Sequence, residues 1–163
     1  MSQALAQSSI PLRNGELVDN QNGFAIRLDQ PKMAWSIDAR SAPDFVKYIG
    51  IDKERRIVYI VFVDRRRYTE ATAESAQRYA NGIKTGLQKG GWKVERSGVS
   101  PADIPRARSY RFVNDAINSN GVKATFVEYM TSPEKLYSVG AVLPAGTDET
   151  ELTQWVRTFR LLK

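Results

Sequence analysis

The chain has 163 residues, 24 Lys and Arg against 18 Asp and Glu for a net charge of +6, and a 42% apolar share, a size and composition that suit one globular domain able to bury its own core. It contains neither Cys nor His, which excludes thiolate catalysis, disulfides, imidazole bases and metal sites ligated by either residue. Any metal site would have to be built from oxygen alone, which favours calcium or magnesium.

Residues 1–13 are polar and aperiodic and read as a flexible tail, leaving 14–163 as a single α+β domain. The opening lacks the charged and apolar segments of a signal peptide. Its polar stretch from Ser2 to Ser9 resembles the spacer that follows a removed signal. That favours export, to the periplasm or as a lipoprotein, over the cytoplasm. No apolar run approaches the roughly 20 residues of a transmembrane helix.

Gly15 to Leu28 reads as a hairpin, with Asn20-Gln21-Asn22-Gly23 as its turn and Phe24 to Leu28 as an alternating second arm. Trp35-Ser36-Ile37 follows as a short extended piece, and Phe45 to Ile51 fits a strand or one helical turn, with the strand favoured. Ile57 to Val63 is apolar on both faces, with Ile57, Tyr59, Val61 and Val63 on one and Val58, Ile60 and Phe62 on the other. That pattern predicts a central strand covered on both sides.

A helix is predicted over Ala73 to Lys89, with Thr72 as N-cap and Gly90-Gly91 as stop. Ala76, Ala80, Ile83 and Leu87 fall on one stripe, with Tyr79 on its flank. Gly82 and Gly86 each cost about 1 kcal/mol in a helix interior, which predicts close backbone approach to the sheet or a loop, or else a partner-docking groove. Trp92 to Glu95 alternates like a strand, and Ser100 to Pro105 reads as a loop.

Ala107 to Asp115, Val122 to Met130 and Leu136 to Leu143 form an antiparallel meander, turned at Asn118–Gly121 and Ser132–Lys135. Pro144-Ala145-Gly146 opens a second helix, where Asp148 and Glu151 make a capping-box-like pair. Leu152, Trp155, Val156 and Phe159 supply its apolar stripe. The expected fold is α+β, a central antiparallel sheet sandwiched by helices.

Three catalytic or ligand motifs fail on named residues. Gly98-Val99-Ser100-Pro101-Ala102 echoes a nucleophile elbow, but a Pro follows the Ser and the chain has no His. Placing Gly23 at the sixth position of a calcium loop puts Val18 at the first and Asp29 at the twelfth, which is not a ligand set for that loop. Gly82-Ile83-Lys84-Thr85-Gly86 sits within the predicted helix, where backbone amides are already bonded. No cofactor is expected.

The densest basic run is Arg65-Arg66-Arg67-Tyr68, with Lys53, Arg55 and Arg56 at the other end of the same strand. Arg106, Arg108 and Arg111 lie on the meander. An Arg cluster beside a Tyr can hold phosphate or carboxylate in bidentate fashion. The plainer reading is a solvated strand end paired with Asp64 and Glu70, and it is the favoured one. Arg65, Arg66, Arg67 and Tyr68 are nonetheless the candidate contacts for an anionic partner.

From Gly23 onward the chain resembles the PsbP-like group, which includes DcrB-like envelope proteins and a Ran-binding import factor. The resemblance rests on GFAIRL at Gly23 to Leu28 with Trp35 beyond it, on the single helix after the central strand, and on ELTQWVRTFRLL from Glu151 to Leu162. Thr158-Phe159-Arg160 stands where a serine-phenylalanine pair is usual in that group. It implies an antiparallel sheet between helices, mostly without enzymatic activity, acting by binding proteins.

The leading expectation is therefore a non-catalytic protein-binding or assembly module of the bacterial envelope, with an unknown protein as partner. An anion- or nucleic-acid-binding domain using the basic surface comes second, because the charge excess is modest and forms no stripe. A hydrolase working through carboxylates or a Ser–Lys pair comes third.

Overall fold

The computed structural model describes residues 10, 12–28, 34–38, 41, 44–65, 72–104, 107–132 and 136–162. In chain order its elements are β1 (Leu12–Arg13), β2 (Glu16–Asp19), β3 (Phe24–Arg27), β4 (Ala34–Ile37), β5 (Phe45–Asp52), β6 (Ile57–Asp64) and α1 (Ala73–Lys89). They continue with β7 (Lys93–Ile104), β8 (Ala107–Ile117), β9 (Lys123–Ser132), β10 (Leu136–Pro144), α2 (Thr150–Arg157) and β11 (Arg160–Leu161). The tail expected over residues 1–13 lies largely outside the described residues; Leu12 and Arg13 pair with β2.

The strands form two sheets, a four-stranded one in the order β1-β2-β3-β11 and a seven-stranded one in the order β4-β5-β6-β10-β9-β8-β7. Every neighbouring pair in the larger sheet is antiparallel. The meander is present as β8, β9 and β10, and β6 sits inside the sheet between β5 and β10. Ile57, Tyr59, Val61 and Val63 are buried, whereas Val58, Ile60 and Phe62 are only half-buried. The two faces of β6 are therefore covered unequally.

The α+β expectation, a central sheet sandwiched by helices, is corrected. Strand accounts for 56% of the described residues and helix for 19%, so the fold is mostly β. The first hairpin does not join the large sheet. After α2 the chain returns to pair Arg160 with Ala25 and Leu161 with Phe24, closing a second sheet that layers on the first. Phe24 stacks on Phe159 at 5.7 Å and meets Tyr48 and Tyr137 of the large sheet edge-on. Each such aromatic, fully removed from water, contributes roughly 2 kcal/mol. One face of the large sheet is thus covered by another sheet together with α2, a layering that local periodicity could not reveal.

The hairpin turn is pinned to this core by buried polar groups. Asp19 accepts from the Asn22 backbone at 2.9 Å and from the Tyr48 hydroxyl at 2.8 Å, while the Tyr137 hydroxyl donates to the Asn22 carbonyl at 2.6 Å. Burial, followed by the bond to Asp19, raises the Tyr48 phenol well above its usual range. The hydroxyl therefore stays protonated as a donor.

Helix α1 has the predicted ends. The Thr72 hydroxyl accepts from the Ser75 amide at 3.1 Å and the Ser75 hydroxyl accepts from the Thr72 amide at 2.9 Å, a reciprocal cap. Gly90 closes the helix by donating to Gly86 O at 3.0 Å. The expectation of close approach at Gly82 and Gly86 is corrected, because a Cβ at either would meet nothing within 4 Å. The tight contact is made by Ala76 and Ala80, both buried against Phe112 and Met130.

Two further expectations are corrected. Ser100 to Pro105 is not a loop up to residue 104, since β7 runs to Ile104 and pairs along its length with β8. Gly98, Ser100 and Pro101 are poor strand formers, but the edge position tolerates a proline that cannot donate to a ladder. At α2, Asp148 accepts from the Thr150 amide at 3.0 Å, and Glu149 at the N-cap makes no side-chain cap bond. Glu151 turns away to Arg55 instead of closing a capping box. Among the described residues no helix is long and apolar enough to cross a membrane.

Candidate functional site

Seven strands spaced about 4.8 Å apart make a sheet roughly 29 Å wide, and a helix with its side chains is about 10 Å across. On the face away from the small sheet, α1 packs over the β7 and β8 side. It therefore leaves Ile60, Phe62 and Val142 half-buried on the strands beyond. A cleft of about 600 Å³ lies at the step between covered and uncovered sheet, lined by Ser75, Arg78, Tyr79, Gly82, Ile83, Glu128, Met130 and Leu136. A smaller, mostly apolar cavity of about 90 Å³ adjoins it, sharing Ile83 and Glu128 and reaching to Ile60, Asn114, Phe126, Ser138 and Val142.

Glu128 is the centre of both cavities. It shares the strand face of Phe126 and Met130, opposite Gly140 of β10. A Cβ at Gly140 would collide with the Val127 carbonyl and lie 2.8 Å from Glu128 Cα, so only glycine permits this approach of β10 to β9. The Tyr79 hydroxyl donates to Glu128 Oε1 at 3.0 Å, and the Ser138 hydroxyl donates to the same oxygen.

Some of the Glu128 surface stays open to the cleft, but its carboxyl is enclosed, and burial pushes it up to about 7; the bond from Tyr79 and the charge of Lys47 hold it back only in part. Burial and the neighbouring carboxylate raise the Tyr79 phenol well above its usual range. No cation among the described residues comes within ion-pair range of Glu128. Asn114, only 2% exposed, carries a buried Oδ1 with no hydrogen-bond partner.

The residues singled out from sequence are not gathered here. Arg66, Arg67 and Tyr68 lie outside the described residues. Arg65 sits at the end of β6, where its amide donates to Asp44 O at 2.9 Å. Arg55 is committed to Asp52 at 2.6 Å and to Glu151, and Arg111 is paired with Glu149. Ser100 is exposed on the edge strand β7, across from Arg111, so it lacks the strand-to-helix turn of a nucleophile elbow. Glu128 escaped sequence reasoning, although an acid sharing a strand face with two large apolar residues was a visible signal.

No family model matches the chain, and no curated protein matches it in sequence. Its fold does match a solved structure, cyanobacterial PsbP (CyanoP) from Synechocystis sp. PCC 6803. The TM-score is 0.69, covering 90% of this chain and 91% of that one at 11% identity. The chain thus has a PsbP-like fold, in agreement with the resemblance read from Gly23, Trp35 and the final helix. At that identity the likeness is one of fold alone.

Proposed function

We propose that the chain is a non-catalytic binding module, exported to the bacterial envelope, that captures a partner protein in the cleft between α1 and the large sheet. The observation that carries this reading is the cleft itself, a concave site on rigid elements where Ile83, Met130 and Leu136 stand beside the polar Ser75, Arg78, Tyr79 and Glu128. The PsbP-like fold is consistent with such a role. The ion pairs of Arg55, Arg96, Arg111, Lys123 and Arg160 leave less free basic surface for an anion- or nucleic-acid-binding domain.

One observation favours a hydrolase, the bond from the Ser138 hydroxyl to a carboxyl that titrates near neutrality. Ser138 is only 1% exposed, however, and sits mid-strand with neighbours on both sides. An attacking hydroxyl needs access to its substrate and free donors for the oxyanion. Binding is the better account.

Gly82→Trp tests the proposal, because the position borders the cleft and has open space for a side chain. The tagged variant should fold with a midpoint no lower than the parent's and lose the partners that the parent chain captures from a native extract. An identical partner set would reject the cleft as the docking site. Hydrolysis of simple esters by the parent chain but not by Ser138→Ala would reject the non-catalytic reading.

A further inference from the structure

The two cavities share a chemical asymmetry. Three side chains around the smaller one, Asn114, Glu128 and Ser138, offer acceptor oxygens, and its remaining walls are apolar, among them Ile60, Phe126 and Val142. Asn114 Oδ1 is buried without a partner, and both donors to Glu128 converge on Oε1. What Asn114 Oδ1 lacks is a donor, and what the enclosed carboxyl lacks is a positive charge.

We propose that this cavity binds a primary ammonium carried on an apolar stem. An ammonium has donors and no acceptor, matching the carboxylate of Glu128 and the unpartnered Asn114 Oδ1, and a carboxylate freed from water is the natural counter-charge. A volume of about 90 Å³ holds on the order of three heavy atoms at ~30 Å³ each, the liquid share of one water. The charged head and its first carbon fit there, and the stem runs out past Ile83 into the larger cleft, against Met130 and Leu136. Asn114 lies across from Phe126 on β8, diagonal to Glu128 and within side-chain reach of it, whereas Ser138 lies across from Met130 on the opposite diagonal and serves by donating to Glu128 Oε1.

The head group is either that of a free alkylamine or that of a lysine side chain presented by a partner, and the chemistry is the same for both. The inference rests on reading the cleft as a binding site. The charged or titratable groups facing Glu128 are Tyr79 and the cleft-lining Arg78 from α1 and Lys47 from β5; Asp64 of β6 acts on Tyr79. The ligand binds the ionised carboxylate, so its affinity rises with pH. With Glu128 titrating near 7, the ionised fraction grows about tenfold from pH 6 to pH 8.

The test titrates n-butylammonium, n-butanol and Nα-acetyl-lysine methylamide into the full chain and follows the amide resonances of Tyr79, Gly82, Glu128 and Gly140. Saturable shifts are expected with n-butylammonium, at least tenfold tighter than with butanol, strengthening several-fold from pH 6 to pH 8 and lost in Glu128→Gln. Binding of the lysine amide as well assigns the head group to a partner's lysine, and binding of butylammonium alone assigns it to a free amine. No saturable shift with either amine, equal affinity for butanol, or unchanged binding in Glu128→Gln would overturn the proposal. If amines fail while Gly82→Trp still abolishes partner capture, the cleft remains a docking site and only the ammonium assignment falls.

Discussion

The Tyr79 hydroxyl donates to the Glu128 carboxyl at 3.0 Å, tying the middle of α1 to the strand beneath it through an acid that burial holds near neutrality. The carboxyl rises from the usual 4.5 to about 7, so the folded state binds this proton more tightly than the unfolded chain. Its contribution to stability is fully present below pH 4.5 and is lost as pH rises through 7. The rise corresponds to about 3 kcal/mol at most. Glu128→Gln keeps an acceptor for Tyr79 and Ser138 and removes the charge. Denaturant unfolding at pH 5 and pH 8 should show the variant more stable than the parent at pH 8, with its stability nearly flat between the two.

Gly82 and Gly86 face open space on α1, and neither has a positive φ. Replacing each by Ala should therefore raise stability by about 1 kcal/mol, through helix propensity alone. The two gains should add, since neither methyl touches a neighbour. Thermal melts of the single and double variants measure this, and a loss at either position would show that the glycine serves a contact.

Gly50 behaves in the opposite sense. Trp35 lies directly across from it on β4, and a Cβ there would come within 2.7 Å of the indole ring. That ring stacks on Trp155 at 6.0 Å, and Trp155 meets Tyr59 edge-on at 5.1 Å. Gly50→Ala should destabilise the fold by about 1–3 kcal/mol through overpacking. The same change in a Trp35→Leu background should cost measurably less in urea titrations, because the clash is with the indole.

Arg55 joins three elements, bonding Asp52 at 2.6 Å, Glu151 of α2, and the Tyr59 hydroxyl at 3.4 Å. Its backbone and side-chain donors hold the Asp52 carboxyl below the usual carboxylate range. Because the Arg55 side chain is 39% exposed, Arg55→Ala should cost only about 1 kcal/mol. Arg55→Lys should recover little of it, since one ammonium cannot serve three partners in a planar fork. Differential scanning calorimetry of the two variants provides the comparison.

The ends of α1, the first hairpin and the β8–β9–β10 meander were legible in the residues because their causes are local. Thr72 and Gly90 mark the helix through caps that operate within one turn, and Asn118 to Gly121 marks a turn through its own backbone preferences. The reach of β7 was not legible. Gly98, Ser100 and Pro101 argue for a loop, and only the backbone of β8 supplies the ladder that holds them extended. The layering of β3 and β11 was hidden for a similar reason, since the pairing of Ala25 with Arg160 spans almost the whole chain.

By itself the sequence determined the chemistry that this protein cannot perform through thiols or imidazoles, and the local periods from which its strands and helices are made. The tertiary structure alone decided which of those surfaces meet. Alternation along β9 puts Phe126, Glu128 and Met130 on one face, but that period is the same whether the face looks into water or under a helix. Only the placement of a narrow α1 over a wide sheet enclosed Glu128 beneath Tyr79 and opened a cleft beside it, because burial depends on contacts between segments far apart in the chain.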